Sequence, residues 1–408
     1  MPADRWAQTA SGPAGPRGAP VVLTWSFVPD ATPLAQGGGS ALHAAASRVF
    51  PADAAAQPSG EPPWHAPFAA SFARWSALGG ALLEYEPADD GAPHQRFAGQ
   101  RGVRGDIRLA AGPIDGPGGT LASSQFPDTG DIVPDTDDAA WWSHPAGDYR
   151  RLRNVLMHEI GHALGLDHVV SSDAAWLMEP VLNLTFDGPQ LDDVRGLHYL
   201  YGDRPDRAAG SAGNDAPATA TWLGALAPGD RLAAGVSAER GLRVEPPEAD
   251  FVSLAGRSDV DFYRLRVSTP LRLAATVVPW GGTFRQAGAT GAESVVDAFA
   301  GNDLALALWG DRGTVLAAVD EGSRGAAETL RSAPLAAGDY FLRVSGRREV
   351  VQLYALRVAG IAIPEPPVAG ALWAVVATGA GIRRRAALLG RLRQPFGAAR
   401  DAARRAVS

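Results

Sequence analysis

His158-Glu159-Ile160-Gly161-His162-Ala163-Leu164-Gly165-Leu166-Asp167-His168 sets three imidazoles and one carboxylate at the spacing of a hydrolytic zinc site. On a helix, His158 and His162 lie one turn apart on the same face, so both rings reach one ion while Glu159 points beside it. Gly165 stops the helix, because glycine tolerates the positive φ that reverses the chain, and the reversal brings His168 round as a third nitrogen ligand. The fourth position is left for water. Zinc held by three neutral imidazoles lowers the pKa of such a water to about 7, and Glu159 takes its proton during attack on a peptide carbonyl, then returns it to the leaving amine.

HExxH alone occurs by chance in many helices, where its histidines are ordinary polar-face residues. The added Gly165 and His168 extend it to HExxHxxGxxH, which with a methionine turn downstream is the metzincin signature. Met178, in Trp176-Leu177-Met178-Glu179-Pro180, is one of three methionines and stands where it supports the floor of the zinc site. Over about residues 20 to 203 the chain resembles a matrixin-type metzincin. Val22-Leu23-Thr24-Trp25-Ser26-Phe27 alternates like a first strand, and Phe68, Phe72, Trp75 and Leu78 follow at helical spacing as core. Gly105-Asp106-Ile107-Arg108-Leu109 is similar to a matrixin strand. Asp192-Asp193-Val194-Arg195-Gly196-Leu197 with Leu200-Tyr201-Gly202 is similar to the closing helix. The resemblance implies an α+β catalytic domain, a twisted mixed sheet with long helices, acting as a zinc endopeptidase.

Ile114-Asp115-Gly116-Pro117-Gly118-Gly119-Thr120-Leu121-Ala122 resembles the matrixin loop that wraps a structural calcium ion. Asp115 offers a carboxylate, Gly116, Gly118 and Thr120 lie where carbonyls turn inward, and Asp135 and Asp138 add hard oxygens. An ordinary acidic turn has the same composition. The second, structural zinc of matrixins is not expected, because Ser123 and Val133 stand where that site has histidines. One zinc is therefore expected. His43, His65, His94, His144 and His198 occur singly and read as surface or capping residues, and Val169 replaces a common serine after the third histidine.

The chain has 408 residues, no cysteine and a formal net charge of -7. Without cysteine there is neither a disulfide nor a thiol to occupy the open zinc position, so stability rests on core size and bound metal. The basic residues are all arginine and dispersed, which argues against nucleic acid. Richness in Ala, Gly, Pro and Arg fits a high-GC bacterial coding bias.

After Gly202 the pattern changes. Residues 205–217 read as a polar linker, and 218–358 as an all-β, jelly-roll-like sandwich of short alternating runs. Asn214-Asp215-Ala216-Pro217, Asp259-Val260-Asp261-Phe262-Tyr263, Asn302-Asp303-Leu304, Ala337-Gly338-Asp339-Tyr340 and Tyr354-Ala355-Leu356 together resemble the bacterial pre-peptidase C-terminal domain. That resemblance implies an accessory role in substrate or surface binding, with calcium at the acidic turns; a spacer without ligand has the same pattern. Ile363-Pro364-Glu365-Pro366 (within a 359–367 linker), the apolar run 368–382 and Arg383-Arg384-Arg385 (segment 368–390), before a basic tail 391–408, resemble a PEP-CTERM sorting tail. It implies export, a sorting enzyme as partner and contact with a membrane. A buried helix is the alternative for that run. Residues 1–19 read as a disordered segment with no visible secretory signal, which favours a misplaced start.

The sequence thus describes an exported bacterial zinc endopeptidase, extracellular or held at the cell surface, acting on protein or peptide substrate. The alternative is a cell-surface or matrix binding protein whose peptidase domain is inactive.

Overall fold

The structure, a computed structural model, describes residues 4–50, 62, 64–287 and 291–364. Its first sheet has the order Ala81–Tyr85, Val21–Phe27, Ile107–Leu109, Ile132–Pro134, Ala122–Ser124. The first four strands are parallel and Ala122–Ser124 pairs antiparallel at the edge. Parallel neighbours need a crossover. The helix His65–Leu78 supplies it between Val21–Phe27 and Ala81–Tyr85, with Phe68, Phe72, Trp75 and Leu78 fully buried as their spacing requires. Trp25 stacks on Phe72 at 4.3 Å between ring centres, and Trp75 Nε1 donates to Met157 O at 2.9 Å, tying this helix to the one that carries the histidines.

Two stretches expected to lack structure are folded. The segment from Asp4 to Ala19 lies against the domain with Trp6 buried; its Nε1 donates to Ala163 O at 2.7 Å. One indole offers enough apolar area and one donor to anchor a Pro- and Gly-rich arm that composition marks as disordered. In the expected linker, Arg204–Ala209 is helical, begun by a capping box in which Asp203 accepts from Asp206 N and Asp206 from Asp203 N. Asp206 and Asn214 are buried. His65, His94 and His198, expected at the surface, are buried too; His198 bonds Ser253 Oγ (2.9 Å) and Leu78 O (2.7 Å).

The remainder is mainly β. Val252–Leu254, Gln352–Ile361, Arg272–Trp280 and Glu328–Arg331 form one sheet, with Arg231–Ala234 also on Gln352–Ile361. Val315–Val319, Leu304–Gly310, Gly338–Gly346, Val260–Val267 and Thr221–Leu226 form another, and inward residues of both, such as Leu265, Leu273, Leu306 and Leu356, share one core. A separate hairpin pairs Thr283–Ala287 with Glu293–Asp297.

The two halves are not independently packed. The core around Trp75, Met157 and Leu197 also takes in Val244, Phe251, Phe284 and Leu353 from the β-rich half. Among the described residues no helix is long and apolar enough to cross a membrane. The sorting-tail motif beyond Pro364 and the run 368–382 lie outside the described residues.

Candidate metal centre

The histidine helix is Ala146–Ala163, with its regular turns beginning after Gly147, Asp148 and Tyr149, which have positive φ. It presents His158 and His162 one turn apart. At its end Leu166 N donates to Gly161 O at 2.9 Å, and Gly165, at φ +97°, turns the chain. A side chain at 165 is excluded twice, by this φ and because a Cβ there would lie 1.7 Å from Asp4 O. The reversal delivers His168, and the three Nε2 atoms stand 3.1 Å from one another.

The chemistry of this donor set fits a cation. His158 Nδ1 pairs with Leu177 O and His162 Nδ1 with Leu166 O, each at 2.7 Å. A carbonyl accepts only, so both rings carry their proton on Nδ1 and turn an Nε2 lone pair inward. Burial pushes the His158 imidazole down to about 4, opposed by the Leu177 bond, and burial with the neighbouring His158 lowers His162. Both are neutral near pH 7, as a metal ligand must be. Three lone pairs facing one another repel unless something positive lies between them. Nitrogens about 2.0–2.1 Å from a tetrahedral zinc are about 3.3 Å apart, close to the spacing found.

Glu159 lies beside the three rings, 8 % exposed. Its Oε2 accepts from Ser124 Oγ at 2.7 Å. Burial raises the carboxyl above its ordinary range, with the Ser124 bond and the two nearby imidazoles acting against it. Below the helix, a Cβ on Gly161 would lie 2.3 Å from Met178 Sδ, so the glycine inside the motif is what lets the methionine turn approach. That turn is held by Asp193, whose carboxylate accepts from Leu177 N (2.9 Å), Met178 N (3.2 Å) and Gln190 N (2.7 Å). Leu177 O in turn fixes His158. Asn154, one turn before His158, bonds Asn183 O, Phe186 O and Gly188 N and so pins the loop beyond the methionine.

The loop between His168 and Met178 is also held from the β-rich half. Ala287 N donates to Val170 O (2.9 Å), Ser171 Oγ to Arg285 O (2.6 Å) and Arg285 N to Asp173 Oδ1 (2.7 Å). The hairpin is thereby an extra strand on the loop that carries the third histidine.

The expected calcium loop gathers its residues in part. Asp115 is turned to Thr120, accepting from its N–H and Oγ1; Asp135 is buried and accepts from Asp115 N and Asp137 N; Asp138 Oδ1 accepts from Gly118 N at 2.8 Å. Asp138 Oδ2 is buried without a hydrogen bond. The three carboxylates do not bring ligand oxygens within 4.8 Å of one another among the described residues. Val133, where matrixins have a second-zinc histidine, packs with Val28, Leu34 and Ala110.

A second group with ligand geometry falls at the acidic turns Asn214-Asp215 and Asp259-Val260-Asp261, where the accessory-domain resemblance implies calcium, and adds Asp206, which was read as linker. Asp206, Asp259 and Asp261 bring carboxylate oxygens within 4.8 Å of one another, from the helix Arg204–Ala209, the residue before the strand Val260–Val267 and the strand itself. Asp261 Oδ2 accepts from Tyr354 OH, whereas Asp261 Oδ1 and both side-chain polar atoms of the fully buried Asn214 have no hydrogen-bond partner. Burial, then mutual repulsion, pushes Asp203, Asp259 and Asp261 well above the carboxylate range, and burial raises Asp206 to about 6. The motif pieces were visible in the sequence; their convergence was not.

Residues 64–202 match the family model described as matrixin. Relatives include interstitial collagenase of Bos taurus, 46% identical over 105 residues, covering 24% of this chain and 21% of that protein. Stromelysin-3 of Mus musculus is 42% identical over 102 residues (24% and 19%), and matrix metalloproteinase-19 of Homo sapiens 36% over 140 residues (33% and 25%). The chain thus spans about a fifth to a quarter of the length of these relatives. Among solved structures, the pre-peptidase C-terminal domain of a collagenase from Bacillus anthracis aligns at 13% identity and a TM-score of 0.21, over 34% of this chain and 95% of that one.

Proposed function

We propose that the protein is a zinc endopeptidase in which His158, His162 and His168 hold the ion and Glu159 is the general base. The observation that carries this is the convergence of three Nε2 atoms at 3.1 Å with Glu159 alongside. Bound zinc supplies Lewis acidity that brings the pKa of a water to about 7. Glu159 accepts a proton from the attacking water, holds it in a pocket whose burial favours the neutral carboxyl, and passes it to the leaving amine. Leu177 O and Leu166 O keep the two rings in the tautomer that binds. The substrate is read as an extended peptide, since the edge strand Ala122–Ser124 lies beside the site with one side unpaired. Zinc-dependent cleavage of a denatured protein by the full chain, with Glu159→Ala as control, tests the reading; zinc-loaded protein without cleavage would favour a binding role.

Two further cation sites belong to this reading. Asp115, Asp135 and Asp138 are assigned to calcium on the strength of the loop sequence and of the unpartnered Asp138 Oδ2. Asp206, Asp259, Asp261 and Asn214 are assigned to a hard, oxygen-seeking cation, because burying several carboxylates together without a positive partner is costly. Export and a sorting tail rest on the pattern Ile363-Pro364-Glu365-Pro366, the apolar run 368–382 and Arg383-Arg384-Arg385.

A further inference from the structure

We propose that Ser124 is a positioning residue that links docking of an extended substrate to the orientation of Glu159. This inference rests on the reading of Glu159 as general base. Ser124 ends the edge strand, and its two faces do different things. Leu121 O accepts from Asp135 N (2.9 Å) and Gln125 N donates to Asp131 O (3.0 Å), so these flanking residues spend their backbone groups on the neighbouring strand. Antiparallel alternation then turns the N–H and C=O of Ala122 and Ser124 to the open edge, where an arriving peptide backbone can pair with them. The Ser124 side chain leaves perpendicular to that edge and donates to Glu159 Oε2 at 2.7 Å.

No other hydrogen bond reaches the Glu159 side chain among the described residues. The serine proton therefore fixes one carboxylate oxygen and leaves Oε1 for proton transfer. A peptide that pairs with the Ser124 backbone immobilises the same residue that aims the base. Without the hydroxyl, Oε2 would be buried with no donor and the carboxylate free to rotate.

The test uses the full chain loaded with zinc and a fluorogenic peptide. Ser124→Ala should lower kcat about tenfold with KM within about twofold, and Ser124→Thr should stay near wild type. Zinc stoichiometry should not change, and Tm should fall only by the modest amount expected when one buried acceptor loses its donor. A readout independent of turnover is calorimetric affinity for a peptide hydroxamate, whose N-hydroxyl proton must pass to an acceptor on binding. It should weaken about tenfold in Ser124→Ala and not in Ser124→Thr. Should Ser124→Ala lose zinc or fold, Ser124→Thr against Ser124→Val decides, since the two have nearly the same shape and differ in the hydroxyl. Unchanged kcat and hydroxamate affinity in the variants lacking the hydroxyl would overturn the proposal, as would a rise in KM alone, which would confine Ser124 to docking. If instead Glu159→Ala stayed active, the base reading itself would fail.

Discussion

The rings of Trp176 and Phe284 meet edge to face with centroids 4.8 Å apart, each 1% exposed. Trp176 belongs to the loop between the third histidine and Met178; Phe284 belongs to the hairpin of the β-rich half. An aromatic pair buried this fully is an anchor rather than a brush of surfaces. Phe284→Ala should cost about 3–5 kcal/mol of stability, since it opens a cavity beside Trp176. Because the same loop presents His168, zinc affinity should fall as well, measured by competition with a chromophoric chelator. Loss of stability with unchanged zinc affinity would show that the hairpin does not set the histidine loop. For the same reason residues 20–205 alone should melt far below the full chain.

Glu159→Ala should retain zinc, since Glu159 is not a ligand, yet lower kcat by at least ~10²-fold, because proton acceptance is lost. His168→Ala should do the reverse at the level of binding, reducing zinc occupancy by leaving two imidazoles to hold the ion. Metal analysis beside a peptide assay separates the two; full occupancy in His168→Ala would remove it from the ligand set.

Metal analysis of the full chain should give about one zinc, lost when His158 and His162 are both replaced by alanine. Ser123 binds zinc poorly and the buried Val133 has no donor atom. A second tightly held zinc surviving the double replacement would contradict the assignment of the segment between Asp106 and Asp135.

Calcium should raise Tm, and Asp115→Ala should blunt part of that rise, because an ion bound only by the folded chain adds RT ln(1 + [L]/Kd) of stability. A melting curve indifferent to calcium in wild type would count against both cation sites.

The buried aspartate group gives a pH signature of definite sign. Asp203, Asp259 and Asp261 are held above the ordinary carboxylate value of 3.8 and Asp206 at about 6, so the folded chain keeps protons that the unfolded chain releases. That contribution is complete below about pH 4 and is lost as pH rises through about 6. In calcium-free buffer, therefore, lowering pH from about 7 to 5 should stabilise wild type relative to Asp259→Asn. Saturating calcium should flatten the difference, as the cation replaces the protons. An identical pH slope with and without calcium would argue that no ion enters this group.

The parts of the centre that were legible in sequence are those whose geometry is local. His158, Glu159, His162, Gly165 and His168 lie within eleven residues, and helix pitch with one glycine turn places them. Gly161 was given no role, although its missing side chain admits Met178. Ser124 and Asp193 were not read as parts of the site, because their roles lie in contacts 35 and 16 residues away with Glu159 and Leu177. The Asp4 to Ala19 arm and the 205–217 stretch were misread for a related reason: composition reports the polarity of a segment, whereas Trp6 and Asp206 are placed by tertiary partners.

The hairpin's hold on the histidine loop also sets an order of events. Arg285 and Asp173 are 112 residues apart in sequence. A chain emerging from the ribosome presents all three histidines well before the strand that braces the third of them has been made. Until that long-range pairing closes, the nascent chain has its three histidines but not the brace on the third, so the proposed metal centre is complete only once the hairpin of Thr283–Ala287 and Glu293–Asp297 has been made.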